Sequence, residues 1–596
     1  MNIKDMITFF FCFIGITIAS AANVPYDNER QNGLKLYQQG NYLEALDIFK
    51  SLLQKADNDP NAVCSDLVYA VSCFQSLNRL NEVDAFLEYT IANTTNWRLL
   101  KACAEQYFQI QHFGFIVAGK FERGHHRGGG RYVSSFERDR ARALQLLDTA
   151  LKLSQNDPDK YAVAGLHMKY AEVLMGWREQ GQSWRLQYLT DLSTLPDYEE
   201  ANLYYRRGYY SGEQTHAPSD EKGNPIFYSI PSSFENAASD GERWRWMLAK
   251  TMELNPMRRH EVLNYYADFL FNQFGVHTMA EYSYFFAQKS ESEEKNESGP
   301  FAVEYLSDNE TIARLACGIR RFNLSDDANY ISIYKTIASE SPKGPYAEQA
   351  MNRLAEIYEN RRQYDKAVEW WQKSIDHHGE RDWKRQKIEQ ITGNWCSFEP
   401  VMTHPAVKPA SVELRFRNGK MISFSAHKIK IPELLDDVKK YLESNPRTLK
   451  WEEMDISNIG YRLVTRNETK YIAEQVASWD MDVKPRPKHF DKRITIKTPL
   501  TKAGAYLLTA KMKDGNTSRI IIWLNDTVIL KKQISNNTTY YYVGDAVNGM
   551  PIQQAIIEGF GYRMEYLDPV KSFGRHHNIH VTKFAEYTDF NGQFIT

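Results

Sequence analysis

The segment Gly124-His125-His126-Arg127-Gly128-Gly129-Gly130-Arg131 has the chain's most unusual composition. Glycines expose backbone N–H groups and imidazoles ligate metals, so these residue types could hold an anion or a metal ion. No Gly-Lys-Ser/Thr follows, so it is not a P-loop, and the adjacent histidines have no thiol or carboxylate at metal-ligand spacing. The expected structure is a long loop between two helices, packed on a concave surface. His576, His577 and His580 form a looser cluster, again without an acidic or thiol neighbour in sequence. Trp244-Arg245-Trp246 and Trp370-Trp371 could stack sugars, but aromatics at helical spacing fill the interfaces between helical hairpins. HExxH, GxSxG and Walker A signatures are absent, as is a carboxylate pair in a recognisable context. A non-enzymatic chain is expected, with no catalytic, cofactor-binding or metal-ligating residue and no cofactor.

Elements that would position such residues fall into two classes. In GLKLYQQGNYLEALDIFKSLL the series Gly33, Leu36, Gly40, Tyr42, Ala45, Phe49, Leu52 puts small residues where antiparallel helices cross closely. Its spacing returns in LAEIYENRRQYDKAVEWWQKS as Ala355, Tyr358, Tyr364, Ala367, Trp371 and Ser374. Both segments resemble the tetratricopeptide repeat, a helix-turn-helix unit of roughly 34 residues. Residues 140–153 and 161–177 carry further apolar helical periodicity. One such unit cannot bury its own faces, so the expectation is a stacked α-solenoid over 22–400. A polar linker, KSESEEKNESG at 289–299, lies within it.

After two prolines in VMTHPAVKPA the period changes to that of strands. SVELRFR and KMISFSAHKI flank Asn418-Gly419, which predicts a hairpin. A helix is expected at 431–442, and strands at 459–465, 470–476, 493–497, 505–512, 519–524 and 527–534. Gly504 and Asp514-Gly515 supply turns. Many short strands with regular turns make an antiparallel sandwich over 401–535, followed by a partial β-domain over 536–596.

The 596 residues are 42% hydrophobic and 25% charged, a globular balance, with a formal net charge of −2. That balance provides no global electrostatic reason to bind nucleic acid or an anionic membrane. Residues 1–21 read as a secretory signal peptide, with an apolar run closing on Ala19-Ser20-Ala21. No later stretch reaches the roughly 18 apolar residues of a membrane span. An exported protein, periplasmic or extracellular, is therefore expected. Beyond Cys12, the five cysteines Cys64, Cys73, Cys103, Cys317 and Cys396 are too sparse for a disulfide framework. Cys64 and Cys73 could pair within one helical hairpin.

LRFRNGKMISFSAHKI, HFDKRITIKTPLTKAGAYLLTAKMKDGNTSRIIIWLNDT, YYYVGDAVNGMPIQQAIIEGFGYR and TDFNGQF resemble the first macroglobulin-type domains of bacterial alpha-2-macroglobulin-family proteins. The helical half, with NWCSFEPV at its end, is similar to the N-terminal extension of a subset of them. The resemblance implies a multidomain α-then-β chain: a tetratricopeptide-like solenoid, then macroglobulin-type β-sandwich domains. It also implies protein partners, endopeptidases among them, within a cell-envelope protease-trapping system. Family members continue into a bait segment and a thioester domain, so this chain is expected to stop inside a domain, with 540–596 its least stable part. The rival expectation is an envelope scaffold that grips a partner in a helical groove. Cys103-Ala104-Glu105-Gln106 fits the family's C-x-E-Q thioester pattern. It lies upstream of every macroglobulin-like segment and has Ala102 where the family has glycine, so an ordinary buried cysteine is expected.

Overall fold

The computed structural model describes residues 24–176, 178, 182–200, 216–276, 302–400, 403–447, 449–450, 463, 469–535, 538–567 and 577–595. The signal segment, the polar linker 289–299 and, apart from Leu463, the strand expected at 459–465 lie outside the described residues. Helices precede β-sheets along the chain. Two compact units divide it, residues 1–362 and 363–596.

In the first unit, helices α1 (Asp27–Gln38), α2 (Tyr42–Leu53), α3 (Ala62–Ser76), α4 (Val83–Ala92) and α5 (Trp97–Gln109) open the chain. Consecutive helices pack on one another, which their single apolar stripes require. Gly33 shows why a small residue recurs at the crossing: a Cβ there would come within 3.1 Å of the Phe49 ring and 3.2 Å of Ile48.

The helical run is then interrupted. Strands β1 (Phe113–Val117), β2 (Lys120–Arg123), β3 (Arg131–Ser134) and β4 (Glu199–Glu200) form a sheet of order β2-β1-β3-β4, with antiparallel pairing throughout. The expectation of a plain inter-helix loop at 124–131 is thereby corrected: residues 124–130 carry the chain from β2 to β3, which lie on opposite sides of β1. Alternating side chains in 113–117 were too few to show strand periodicity against the surrounding helices. Helices α6 (Phe136–Ser154), α7 (Lys160–Met175), α8 (Asp240–Leu254) and α9 (Arg259–Phe274) follow. A second hairpin, β5 (Glu310–Leu315) with β6 (Gly318–Asn323), was also hidden in the sequence; α10 (Tyr330–Glu340) and α11 (Ala347–Asn360) close the unit.

The second unit opens with α12 (Tyr364–His378) and α13 (Asp382–Thr392), then strands β7 (Trp395–Phe398), β8 (His404–Pro405), β9 (Ser411–Arg417) and β10 (Met421–Ile429). Helix α14 (Ile431–Glu443) leads to β11 (Ile472–Asp482), β12 (Lys492–Lys497), β13 (Gly504–Met512) and β14 (Thr517–Asn525). A five-stranded sheet of order β11-β10-β13-β14-β8 and a three-stranded sheet of order β12-β9-β7 share one core. Leu414 and Phe416 enter it from one sheet, and Phe424, Leu508 and Ile522 from the other. On the opposite face of the larger sheet Ala505 and Leu507 pack with Leu434 of α14. Strand β13 is therefore buried on both sides, which explains its nearly unbroken apolar run.

Asn418-Gly419 does not close a hairpin. β9 pairs with β7 and β12, β10 with β11 and β13, so the turn carries the chain from one sheet to the other. Asn418, at φ +58°, donates its amide to the carbonyls of Ile391 and Gly393 at 2.9 and 3.0 Å. The turn chemistry was readable; its partner sheets were not. A further correction concerns 527–534, assigned above to the first β-domain. Strand β15 (Thr527–Ser535) pairs instead with β16 (Thr538–Asp545), and β16 with β19 (Gln593–Ile595). Between them β17 (Ile556–Tyr566) and β18 (His577–Tyr587) form an eleven-pair hairpin.

Candidate functional site

A group of chemistry-bearing side chains in the first unit gathers beside the β2-β1-β3-β4 sheet. Arg123, last residue of β2, donates from Nη1 to Asp139 Oδ2 at 2.7 Å and from Nη2 to Asp139 Oδ1 at 2.9 Å. Its Nε and Nη2 also reach Asp84 at 3.0 and 2.8 Å. Asp139 accepts from Ser135 Oγ at 2.7 Å and from His112 Nδ1 at 2.9 Å. Burial works against ionisation of Asp139, yet the bonds from Arg123, His112 and Ser135 outweigh it and hold the carboxyl below its ordinary range. Burial pushes Asp84 the other way, against the pull of Arg123.

Serine, histidine and aspartate thus meet, but in an order that activates nothing. Ser135 gives its proton to Asp139 rather than to the imidazole, and His112 Nε2 faces the Phe108 carbonyl at 3.1 Å. A nucleophile needs its hydroxyl on the base. The cluster is a clasp tying β2 to α4 and α6. Neither Arg123 nor Asp139 stood out in the sequence, because the partners are 16 and 39 positions apart and share no motif.

Of the two histidines in the glycine-rich segment, His126 pairs through Nδ1 with Glu122 Oε2 at 2.8 Å, a carboxylate absent from the sequence reading of this segment. His125 meets the Phe113 ring edge-on at 5.5 Å, and His126 lies by Phe115. Both histidines are packed against β1. Among the described residues no three His, Cys, Asp or Glu side chains are grouped as metal ligands. His577 is buried on β18, His580 pairs with Glu565 at 2.8 Å, and His576 lies outside the described residues.

Of the four tryptophans singled out above, Trp244 and Trp371 are core. Trp244 is fully buried against Tyr265, Tyr266 and Phe269, and Trp371 is buried edge-on to Trp383 at 5.4 Å. Trp246 and Trp370 are only half-buried; Lys373 sits over the Trp370 ring. Cys103 is fully buried in α5, where burial pushes its thiol far up, and Gln106 is nearly as enclosed. Cys64, Cys73, Cys103, Cys317 and Cys396 are all free thiols. Cys64 and Cys73 occupy one helix, α3, rather than two arms of a hairpin. Nine residues of helix separate them by about 13 Å, too far to bridge.

No family model matches the chain. No curated protein matches it. Similar solved structures include native alpha-2-macroglobulin from Escherichia coli spanning domains MG0-NIE-MG1, at 16% identity and TM-score 0.21, over 34% of this chain and 57% of that one. The NIE-MG1 portion of the same Escherichia coli protein matches at 13% identity and TM-score 0.20, over 34% of this chain and 86% of that one. The C-terminal part of a TPR repeat-containing protein from Cytophaga hutchinsonii matches at 12% identity and TM-score 0.18, over 60% of this chain and 98% of that one. The chain spans little more than half the length of the first of these structures.

No helix among the described residues is long and apolar enough to cross a membrane.

Proposed function

We propose that this chain supplies the helical and first β-domains of an exported, non-catalytic, alpha-2-macroglobulin-like protein that engages endopeptidases in the cell envelope. The observation that carries the reading is where its macroglobulin-like strings fall. LRFRNGKMISFSAHKI becomes β9, the Asn418 corner and β10; KAGAYLLTAKMKDGNTSRIIIWLNDT becomes β13 and β14. In support, these strands bring the inner faces of two sheets to one core, as a β-sandwich requires. The stacked helices preceding it suit capture of a protein partner along an extended surface.

A steric trap hinders large substrates and spares small ones. The purified chain is incubated with one serine, one cysteine and one metallo-endopeptidase. Co-elution on size exclusion is expected with at least one, with slower cleavage of a protein substrate and unchanged hydrolysis of a short chromogenic peptide. Absence of co-elution with all three at micromolar concentrations overturns the reading and favours the second one, an envelope scaffold. Packing of consecutive helices at Gly33 and Phe49, as in repeat proteins that grip peptides, supports that alternative.

A further inference from the structure

Four arginines surround two carboxylates near the start of α6, the end of α7 and the start of α8. Glu137 and Arg140 lie in the first turn of α6, Arg178 just beyond α7, Arg185 on the short 3-10 turn Ser183–Gln187, and Asp240 and Arg243 in the first turn of α8. Glu137 Oε2 receives Arg140 at 3.1 Å and Arg178 at 2.7 Å, while Oε1 is 3.3 Å from Arg185. Asp240 lies 3.3 Å from Arg140, 3.6 Å from Arg178 and 3.6 Å from Arg243. Thr190 Oγ1 accepts from Arg140 Nη2 at 2.6 Å and also bonds Asp240.

Charge does not balance. Guanidinium stays protonated in proteins, so four positive charges meet two buried negative ones. Among the described residues one further carboxylate, Glu199, pairs with Arg185 at 3.2 Å and is half exposed, leaving four cations against three carboxylates. Side chains of Arg140 and Arg178 are 2% and 4% exposed, so solvent does little to screen the surplus. Burial, then the neighbouring Arg140 and Arg185, pull Arg178 down to about 10, which still leaves it charged at neutral pH.

Donors do not balance either. Among the described residues the Nε atoms of Arg178, Arg185 and Arg243, together with Ser183 Oγ, are buried without an acceptor, against one unpartnered buried acceptor in the cluster, Glu137 Oε1. Arg243 lies over the Phe234 ring and Arg185 over Trp184, contacts that use the guanidinium faces and leave N–H edges for an acceptor. Uncompensated buried cations and unsatisfied buried donors are each costly, and here they coincide. One species removes both costs: an anion with several oxygens. A carboxylate brings two oxygens; a tetrahedral oxyanion brings four and at least one negative charge.

We propose that this cluster is a binding site for one small tetrahedral oxyanion, phosphate or sulfate, held by Arg140, Arg178, Arg185, Arg243 and Ser183. It goes beyond the protease-binding reading and does not depend on it. Bound there, the ion ties α6, the segment after α7 and α8 into one rigid block.

The test uses the whole chain, exchanged into chloride buffer at constant ionic strength. Inorganic phosphate is titrated by calorimetry and by thermal denaturation, with sodium chloride as the control. The expected result is one site per chain with a saturable rise in Tm, and at least tenfold weaker binding in Arg178→Gln and in Arg185→Gln. Because Arg178→Gln could fail to fold, Arg185→Gln, a quarter exposed, decides the matter by itself. Competition by sulfate assigns the general oxyanion class, and its failure assigns phosphate. Absence of binding heat together with a Tm response no greater than chloride's overturns the proposal. So does equal phosphate affinity in wild type and Arg185→Gln.

Discussion

Arg123 and Asp139 form a two-pronged ion pair, 2.7 and 2.9 Å, with 2% and 5% of their side chains exposed. The pair joins β2 to α6, and through Asp84 it also reaches α4. A buried charge left without its partner costs about 3–5 kcal/mol. Asp139→Asn and Arg123→Met should each lower the stability of the first unit by roughly that much, read from chemical denaturation followed by tryptophan fluorescence. A loss within a few tenths of a kcal/mol would show that the clasp is not holding β2 to the helices.

Its pH dependence follows from Asp139. The folded-state carboxyl titrates below its ordinary value of 3.8, so the carboxylate favours the fold. That contribution is complete above the unfolded-state value and disappears as pH falls through the depressed one. Asp84, shifted upward by burial, opposes this, so the wild-type profile alone mixes the two. The difference between wild type and Asp139→Asn should shrink on acidification below about pH 4. A difference that grows on acidification refutes the assignment.

Local patterns were legible in the sequence and distant pairings were not. The helix at 431–442 and the strands at 493–497, 505–512 and 519–524 match α14, β12, β13 and β14 within a residue or two, because each carries its own periodicity. Strand β1, with only Gly114 buried among five residues, offered no alternation to read. Asn418-Gly419 announced a tight turn through its backbone preference, but whether a turn closes a ladder or crosses between sheets depends on strands dozens of residues away. Arg178, Arg140 and Asp240 are similar: their meeting is a product of tertiary packing, and no spacing rule signals it.

The corner between the sheets makes its own prediction. A Cβ at Gly419 would fall 2.0 Å from the sulfur of Met512, itself fully buried in the two-sheet core. Gly419→Val should destabilise the second unit by about 1–3 kcal/mol, the usual cost of overpacking. Pairing it with Met512→Ala, which makes room, should recover part of the loss. A double mutant that is simply additive would show that the two residues do not compete for this space.

Thiol reactivity should sort by burial. Cys317 is exposed, whereas burial pushes Cys64, Cys73 and Cys396 to about 11 and Cys103 further still. At pH 8 a thiol of that pKa is thiolate in only on the order of one molecule in a thousand. Native alkylation should label Cys317 first, with Cys103 reacting only after denaturation. Methylamine should leave Gln106 unmodified; an amine adduct there would establish the thioester that the Cys103–Gln106 spacing invites.

Hydrogen exchange should grade the second unit from its core to the β15–β16–β19 sheet. Leu508, Ala510, Met512 and Ile522 of β13 and β14 are fully enclosed, while Ile529, Leu530 and Ile534 on β15 are 55–61% exposed. Between these extremes lies the β17–β18 hairpin. Its Ile579, with Phe560, Met564 and Val581, packs on Val438 and Leu442 of α14, and Ile579 N donates to Asn445 Oδ1 at 2.9 Å. Lys583 also pairs with Glu443 at the end of the same helix. Protection should therefore be strongest in β10, β13 and β14, intermediate in β17 and β18, and weakest in β15 and β16. The hairpin's seat on α14 makes a further prediction. Removing residues 540–596 uncovers the apolar face of α14, so the truncated chain should aggregate more readily than the full one. Light scattering on the two proteins decides it: a truncated chain that remains monomeric, with unchanged protection in 431–443, would mean that the hairpin contributes nothing to the face it covers.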